Sequence, residues 1–264
     1  MSGPRSLLLL LACLCACASR AAAQAEEQAR ALSQKAASMK SMAGAPHIIL
    51  IGDSHTTGPF GRELDSRLRA AYPGWKIETY APCGAAPGWY LPGNPASGYT
   101  SACGTWFHRY STKAPYRLED VTAASPAPLI GALLESHPDT VIVALGTNMA
   151  NWRGGGIVEM KHARALADAI VDAGSRCLWI GPPDELGHMP PDKAKAQVAS
   201  LNAALRQSLG ESCHYIESHT TYSPDWNYDP MRIHYPPGPA RAWAAQAAAA
   251  VQGVLGGGTA APAP

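Results

Sequence analysis

Charge is the first thing this chain has little of. Only 16% of its 264 residues are charged, and the formal net charge is +1. There is no basic run and no nucleic-acid-binding motif, which argues against nucleic acid as a partner. Long hydrophobic runs are also missing. The apolar run Leu7 to Leu14 is too short for a permanent membrane-spanning helix. No CxxC pair occurs, and His108, His162, His188 and His219 show no metal-ligand spacing. No metal or other cofactor is therefore expected, and no internal repeat is visible.

What is present begins with a leader. Arg5, the run Leu7 to Leu14 and the small residues after it read as a signal peptide over residues 1–23. Two processing routes compete. Ala21-Ala22-Ala23 before Gln24 is a small-x-small cleavage site. Leu10-Leu11-Ala12-Cys13 and Leu14-Cys15-Ala16-Cys17 resemble bacterial lipoprotein boxes. Either route implies export, to the periplasm, the outer membrane as a lipoprotein, or the exterior. Membrane contact is expected only through such a lipid anchor. Beyond the leader remain Cys83, Cys103, Cys177 and Cys213. An even number in an exported chain suggests two disulfides, with three pairings open. Cys177 and Cys213 each precede an apolar strand-like run. If those strands are parallel neighbours, the two cysteines lie side by side, and a Cys83–Cys103 bridge would then staple a long loop.

Residues 24–45 read as a helical linker and 256–264 as a disordered Gly/Ala/Pro tail. Between them, over 46–255, strand and helix periods alternate. Apolar β-type runs fall at 47–53, 75–81, 140–146, 177–181 and 213–217, and helical patterns at 60–72, 127–136, 157–173, 193–209 and 238–255. Runs apolar throughout suit strands buried on both faces, so the alternation predicts a three-layer α/β/α sandwich around a parallel sheet. Residues 82–126, dense in Gly, Pro, Ser and aromatics, break the pattern. They read as a functional insertion over the carboxyl edge of the sheet, where open α/β sheets bind ligands.

Four short segments end or follow predicted strands: Gly52-Asp53-Ser54, Cys83-Gly84, Gly146-Thr147-Asn148, and Asp229 with His234. In this order they resemble the SGNH (GDSL-type) hydrolase family over residues 47 to about 250. The resemblance implies a flavodoxin-like five-stranded sheet of order 2-1-3-4-5 and a serine esterase site without cofactors. Ser54 is then the nucleophile, His234 the base and Asp229 the acid that orients it. The Ser54 and Gly84 amides with the Asn148 side chain form an oxyanion hole.

The chemistry needs these residue types. A serine hydroxyl is a poor nucleophile without a base in hydrogen-bond reach, and an imidazole, with an ordinary pKa of ~6.5, can take and return its proton. The bland alternatives are a helix N-cap for Ser54, a turn cap for Asn148, a backbone-shape role for Gly84 with Gly88 as competitor, and a structural role for His234. The family pattern places the acid three residues before the histidine. Here that position is Met231, which leaves Asp229 or Asp225, or a backbone carbonyl, for the task. His55, Trp89, Trp106 and Trp152 are candidates for substrate contact, for instance stacking on a sugar ring. The alternative is a small core beneath the long loop. The expected substrate is an ester of a small molecule or a carbohydrate, with an acetyl or other short acyl group. Acyl transfer to a sugar hydroxyl, or a catalytically silent carbohydrate-binding scaffold, are the competing readings.

Overall fold

The computed structural model describes residues 44–94, 104–110, 118–121, 126–150, 156–184, 190–218 and 233–256. The leader, residues 24–43 of the linker and the tail beyond Gly256 thus lie outside the described residues. The sheet belongs to the unit that begins at Pro46. Its strands are β1 (His47–Gly52), β2 (Lys76–Pro82), β3 (Thr105–Tyr110), β4 (Leu118–Val121), β5 (Thr140–Ala144), β6 (Arg176–Ile180) and β7 (His214–Ile216). Helices are α1 (Ser54–Thr57), α2 (Pro59–Ala71), α3 (Ile130–Leu134), α4 (Thr147–Ala150), α5 (Gly156–Asp172), α6 (Pro191–Leu209) and α7 (Pro237–Gly256), with a 3₁₀ turn at Pro87–Tyr90.

β1 is buried at every position, as a strand covered on both faces must be. Its alternate side chains feed two cores. Ile49 and Ile51 pack with Val141, Val143 and Trp179 under α5 and α6. Ile48 and Leu50 pack with Ile142 and Leu178 under α2 and α7, where Phe60 stacks on Trp243 at 3.5 Å. The amphipathic helices therefore close both faces, and the result is the expected α/β/α sandwich.

The sheet order is β4-β3-β2-β1-β5-β6-β7. The five strands β2, β1, β5, β6 and β7 pair in parallel, and numbered among themselves they have the order 2-1-3-4-5. Among the described residues the sheet has seven strands rather than five, which corrects one expectation. The described part of 82–126 adds two strands, β3 antiparallel to β2 and β4 antiparallel to β3. These lengthen the sheet at its edge and do not simply roof the carboxyl ends. A buried polar cluster fastens this extension. Asp65 of α2 accepts hydrogen bonds from Thr79 Oγ1 (2.7 Å) and Arg69 (2.8 and 3.0 Å) and lies 2.6 Å from His108 Nδ1 of β3. Burial works to raise the Asp65 carboxyl, but the contacts from His108, Arg69 and Thr79 outweigh it and leave it below its ordinary range.

Cys177 and Cys213 are bonded, with Cα atoms 4.6 Å apart at the amino ends of β6 and β7. Cys83 is also disulfide-bonded, and its expected partner Cys103 lies outside the described residues. Replacing Cys177 and Cys213 by serine together is expected to cost about 2–4 kcal/mol. Thermal melts of the variant against wild type check this, and reduction of wild type should approach the same melting temperature.

Candidate active site

β1 ends where Gly52 meets Asp53. A Cβ on Gly52 would stand 2.0 Å from Oγ1 of the fully buried Thr56, so only glycine lets the chain fold back tightly enough. Asp53 caps the short helix that follows: its Oδ1 accepts the His55 amide at 3.0 Å, and its carbonyl accepts the Thr57 amide at 2.9 Å. Ser54 is thus the first residue of α1 and not its cap. Its Oγ lies 2.8 Å from Nε2 of His234, which stands 180 residues later, just before α7. The bland readings of Ser54 as a cap and of His234 as an isolated structural histidine do not describe this geometry.

Three loops at the carboxyl rim are tied to one another. Thr57 Oγ1 donates to the Ala81 carbonyl at the end of β2 (2.7 Å), joining the serine turn to the Cys83-Gly84 turn. Asn148 Nδ2 donates to the Ala85 carbonyl (2.9 Å) and lies 3.5 Å from Asp53 Oδ2. Tyr90 is fully buried, and its hydroxyl donates to the Gly52 carbonyl (2.8 Å), fixing the end of β1 from the 3₁₀ turn. Gly84 has φ +86°, a left-handed conformation that a side chain would strain. Neither the Ser54 amide nor the Gly84 amide donates to an acceptor among the described residues. Ser54, Gly84 and Asn148 thus come from the three loops so joined.

His55 is buried and takes no position between Ser54 and His234. Its ring packs edge-on against those of His234 (centroids 5.2 Å apart), Trp243 (5.3 Å) and Tyr235 (6.4 Å), forming an aromatic cradle behind His234. The Tyr235 hydroxyl donates to the Asp184 carbonyl, anchoring the residue after His234 to the end of β6. Beside Ser54 and His234 opens a cavity of about 250 Å³ with mainly apolar walls, including Pro59, Phe60, Tyr235 and Ala240.

The aromatics of the 82–126 region divide. Trp89 is half-buried, and its ring lies close to Gly84, 3.7 Å from where a Cβ would stand. Trp106 is buried at 3% exposure beneath the Arg62 guanidinium, 4.8 Å above its ring. It is a packing residue, which corrects its reading as a substrate platform. Tyr90 and Phe107 are likewise core. Trp152, Asp225 and Asp229 lie outside the described residues.

Sequence reasoning gave Asp53 and Thr57 no role, although both, with Tyr90, hold the serine turn. Asp53 stood in plain view within Gly-Asp-Ser. Its signal is burial: at 1% exposure, burial pushes its carboxyl up to about 7, although the His55 amide favours the charged form.

No protein-family model matches the chain. A curated protein, Protein BcsX of Komagataeibacter xylinus, is 28% identical over 186 residues, which cover 68% of this chain. The match spans 66% of that protein's length, just under two thirds. Among solved structures, a putative SGNH hydrolase from Slackia heliotrinireducens superposes with TM-score 0.52 at 15% identity, covering 79% of this chain and 100% of that one. A carbohydrate esterase family 2 enzyme with a carbohydrate-binding domain from Corynascus thermopiles gives 0.52 at 18%, covering 80% and 67%. The psychrotrophic esterase EstA from Pseudoalteromonas gives 0.52 at 12%, covering 80% and 98%. At these identities the likeness is one of fold, and the fold is the α/β/α fold found in SGNH hydrolases.

Asp53 makes stability depend on pH in a definite direction. Its folded pKa of about 7 exceeds the ordinary 3.8, so the folded state holds the proton more tightly. Its contribution is fully present below the lower value and is lost as pH rises through the higher one. The loss reaches roughly 4 kcal/mol above that window. Asp53→Asn cannot ionise, so its melting temperature relative to wild type is expected to rise between pH 5 and pH 8, measured by thermal denaturation.

Proposed function

We propose that this chain is a serine esterase that hydrolyses a short acyl ester through an acyl-enzyme on Ser54. The observation that carries the reading is the 2.8 Å contact between Ser54 Oγ and His234 Nε2 at the carboxyl rim of the sheet. In the reaction Ser54 Oγ attacks the ester carbonyl carbon while His234 accepts its proton. The oxyanion forms against the Ser54 and Gly84 amides and the Asn148 side chain, and a single such donor is worth ~3–4 kcal/mol in the transition state. Collapse expels the alcohol, protonated by His234, and water then releases the acid by the reverse proton route. We assign Asp229, five residues before His234, to orient the imidazole.

The apolar cavity beside Ser54 supports a short acyl group, because a sugar or other polar alcohol gains little from walls of Pro59, Phe60 and Ala240. The half-buried Trp89 beside Gly84 supports a carbohydrate as the alcohol part, with deacetylation of an envelope or exported polysaccharide as the natural setting. The leader and the Cys177–Cys213 bridge both support an exported location, periplasmic, lipid-anchored or extracellular.

Two experiments test the reading. A serine-directed fluorophosphonate is expected to label wild type and not Ser54→Ala, and p-nitrophenyl acetate turnover should fall by about 10⁴-fold or more in the variant. Absence of labelling and turnover in wild type, together with polysaccharide binding, would favour a silent scaffold. With acyl chains from acetyl to octanoyl, Ala240→Leu is expected to narrow the range toward acetyl by filling the cavity. An unchanged chain-length profile would place the acyl group elsewhere.

A further inference from the structure

The Asn148 side chain is asymmetrically held. One amide proton is fixed by the Ala85 carbonyl at 2.9 Å, which orients the amide plane. Nδ2 carries a second proton, and Asp53 Oδ2 lies 3.5 Å from Nδ2, too far for a full hydrogen bond. That second proton is the one Asn148 has left to offer an oxyanion. Asp53 also grips the turn that carries the nucleophile, through the His55 amide at 3.0 Å. A single buried carboxyl group therefore touches both the serine turn and the oxyanion-hole side chain.

The consequence depends on its charge. An ionised Asp53 competes for the second Asn148 proton and sets a negative charge behind a site where another must develop, in surroundings that screen little. A neutral Asp53 leaves that proton to the substrate and still accepts the His55 amide. We propose that Asp53 is a positioning residue that must be protonated for turnover, so that its ionisation shuts the oxyanion hole and sets the alkaline limb of activity. This rests on the hydrolase reading above and adds to it a second titrating group besides the base.

The surroundings of Asp53 suit the neutral form. No cation faces it among the described residues that contact it. The titratable groups around it are His55 on the same turn, the phenol of Tyr90 from the 3₁₀ turn, and His234 across Ser54. Burial and the Asp53 charge together hold the Tyr90 phenol well above its ordinary range, so it brings no charge of its own. Burial likewise pushes the Asp53 carboxyl up to about 7, near the pH at which an esterase with a histidine base works.

The test is the pH dependence of kcat/KM on p-nitrophenyl acetate, corrected with Ser54→Ala, for wild type, Asp53→Asn and Asp53→Ser. Both substitutions keep a neutral cap for the His55 amide, so the second serves if the first does not fold. Wild type is expected to fall about tenfold or more from its maximum by about pH 9, whereas both variants keep a plateau there. KM should change little. The proposal is overturned if the variants retain the alkaline limb, if wild type has none, or if both variants lose turnover at every pH while Ser54 still labels with fluorophosphonate. Failure of wild type to label or turn over would remove the hydrolase reading and this proposal with it, a result distinct from the other three.

Discussion

A hydroxyl and an imidazole 180 residues apart meet here because parallel pairing sends every core strand the same way. β1, β2, β5, β6 and β7 all deliver their carboxyl ends to one rim, and each crossover returns the chain to the opposite end. Chemistry-bearing segments at successive strand ends then become neighbours without any local sequence signal. The tight exit at Gly52, permitted because Thr56 can close onto a residue without a side chain, raises Ser54 above that rim. If the exit from β1 were wider, the serine turn could not reach the Ala81 carbonyl with Thr57, and the three rim loops would lose their common frame.

That frame is built from few and specific hydrogen bonds. Tyr90 holds the Gly52 carbonyl, Thr57 holds Ala81, and Asn148 holds Ala85. None of the three residues Tyr90, Thr57 and Asn148 could be removed without freeing one loop from another. The polar groups are buried together, and each partner offsets the cost of desolvating the other. Asp53 is the exception, since its charge has no counter-ion among its described contacts and burial resists its ionisation.

Much of the scaffold could be read from the chain. The five parallel strands and the helices between them begin and end within a few residues of the expected positions, because strands covered on both faces are apolar without alternation and contrast sharply with amphipathic helices. The α3 helix is shorter than its periodic stretch: Pro126 and Pro128 keep the approach extended as far as Leu129. β3 and β4 were hidden by the Gly, Pro and Ser around them, although Thr105-Trp106-Phe107 has strong strand propensity. The meeting of Ser54, His234, Gly84 and Asn148 at one rim was legible from motif order. The burial of Trp106 and the paired contacts of Asp53 were not, since both arise from elements distant in sequence.

The bond between Cys177 and Cys213 sits at the end of the sheet opposite Ser54, yet it bears on His234. β7 is only three residues long, with three pairing positions against β6, and among the described residues it is the last strand before His234. So short an edge strand frays readily unless its entry is pinned. The covalent staple supplies that pin. Were those thiols reduced, three pairing positions alone would hold β7 to β6, and the chain would set out toward His234 from a looser edge.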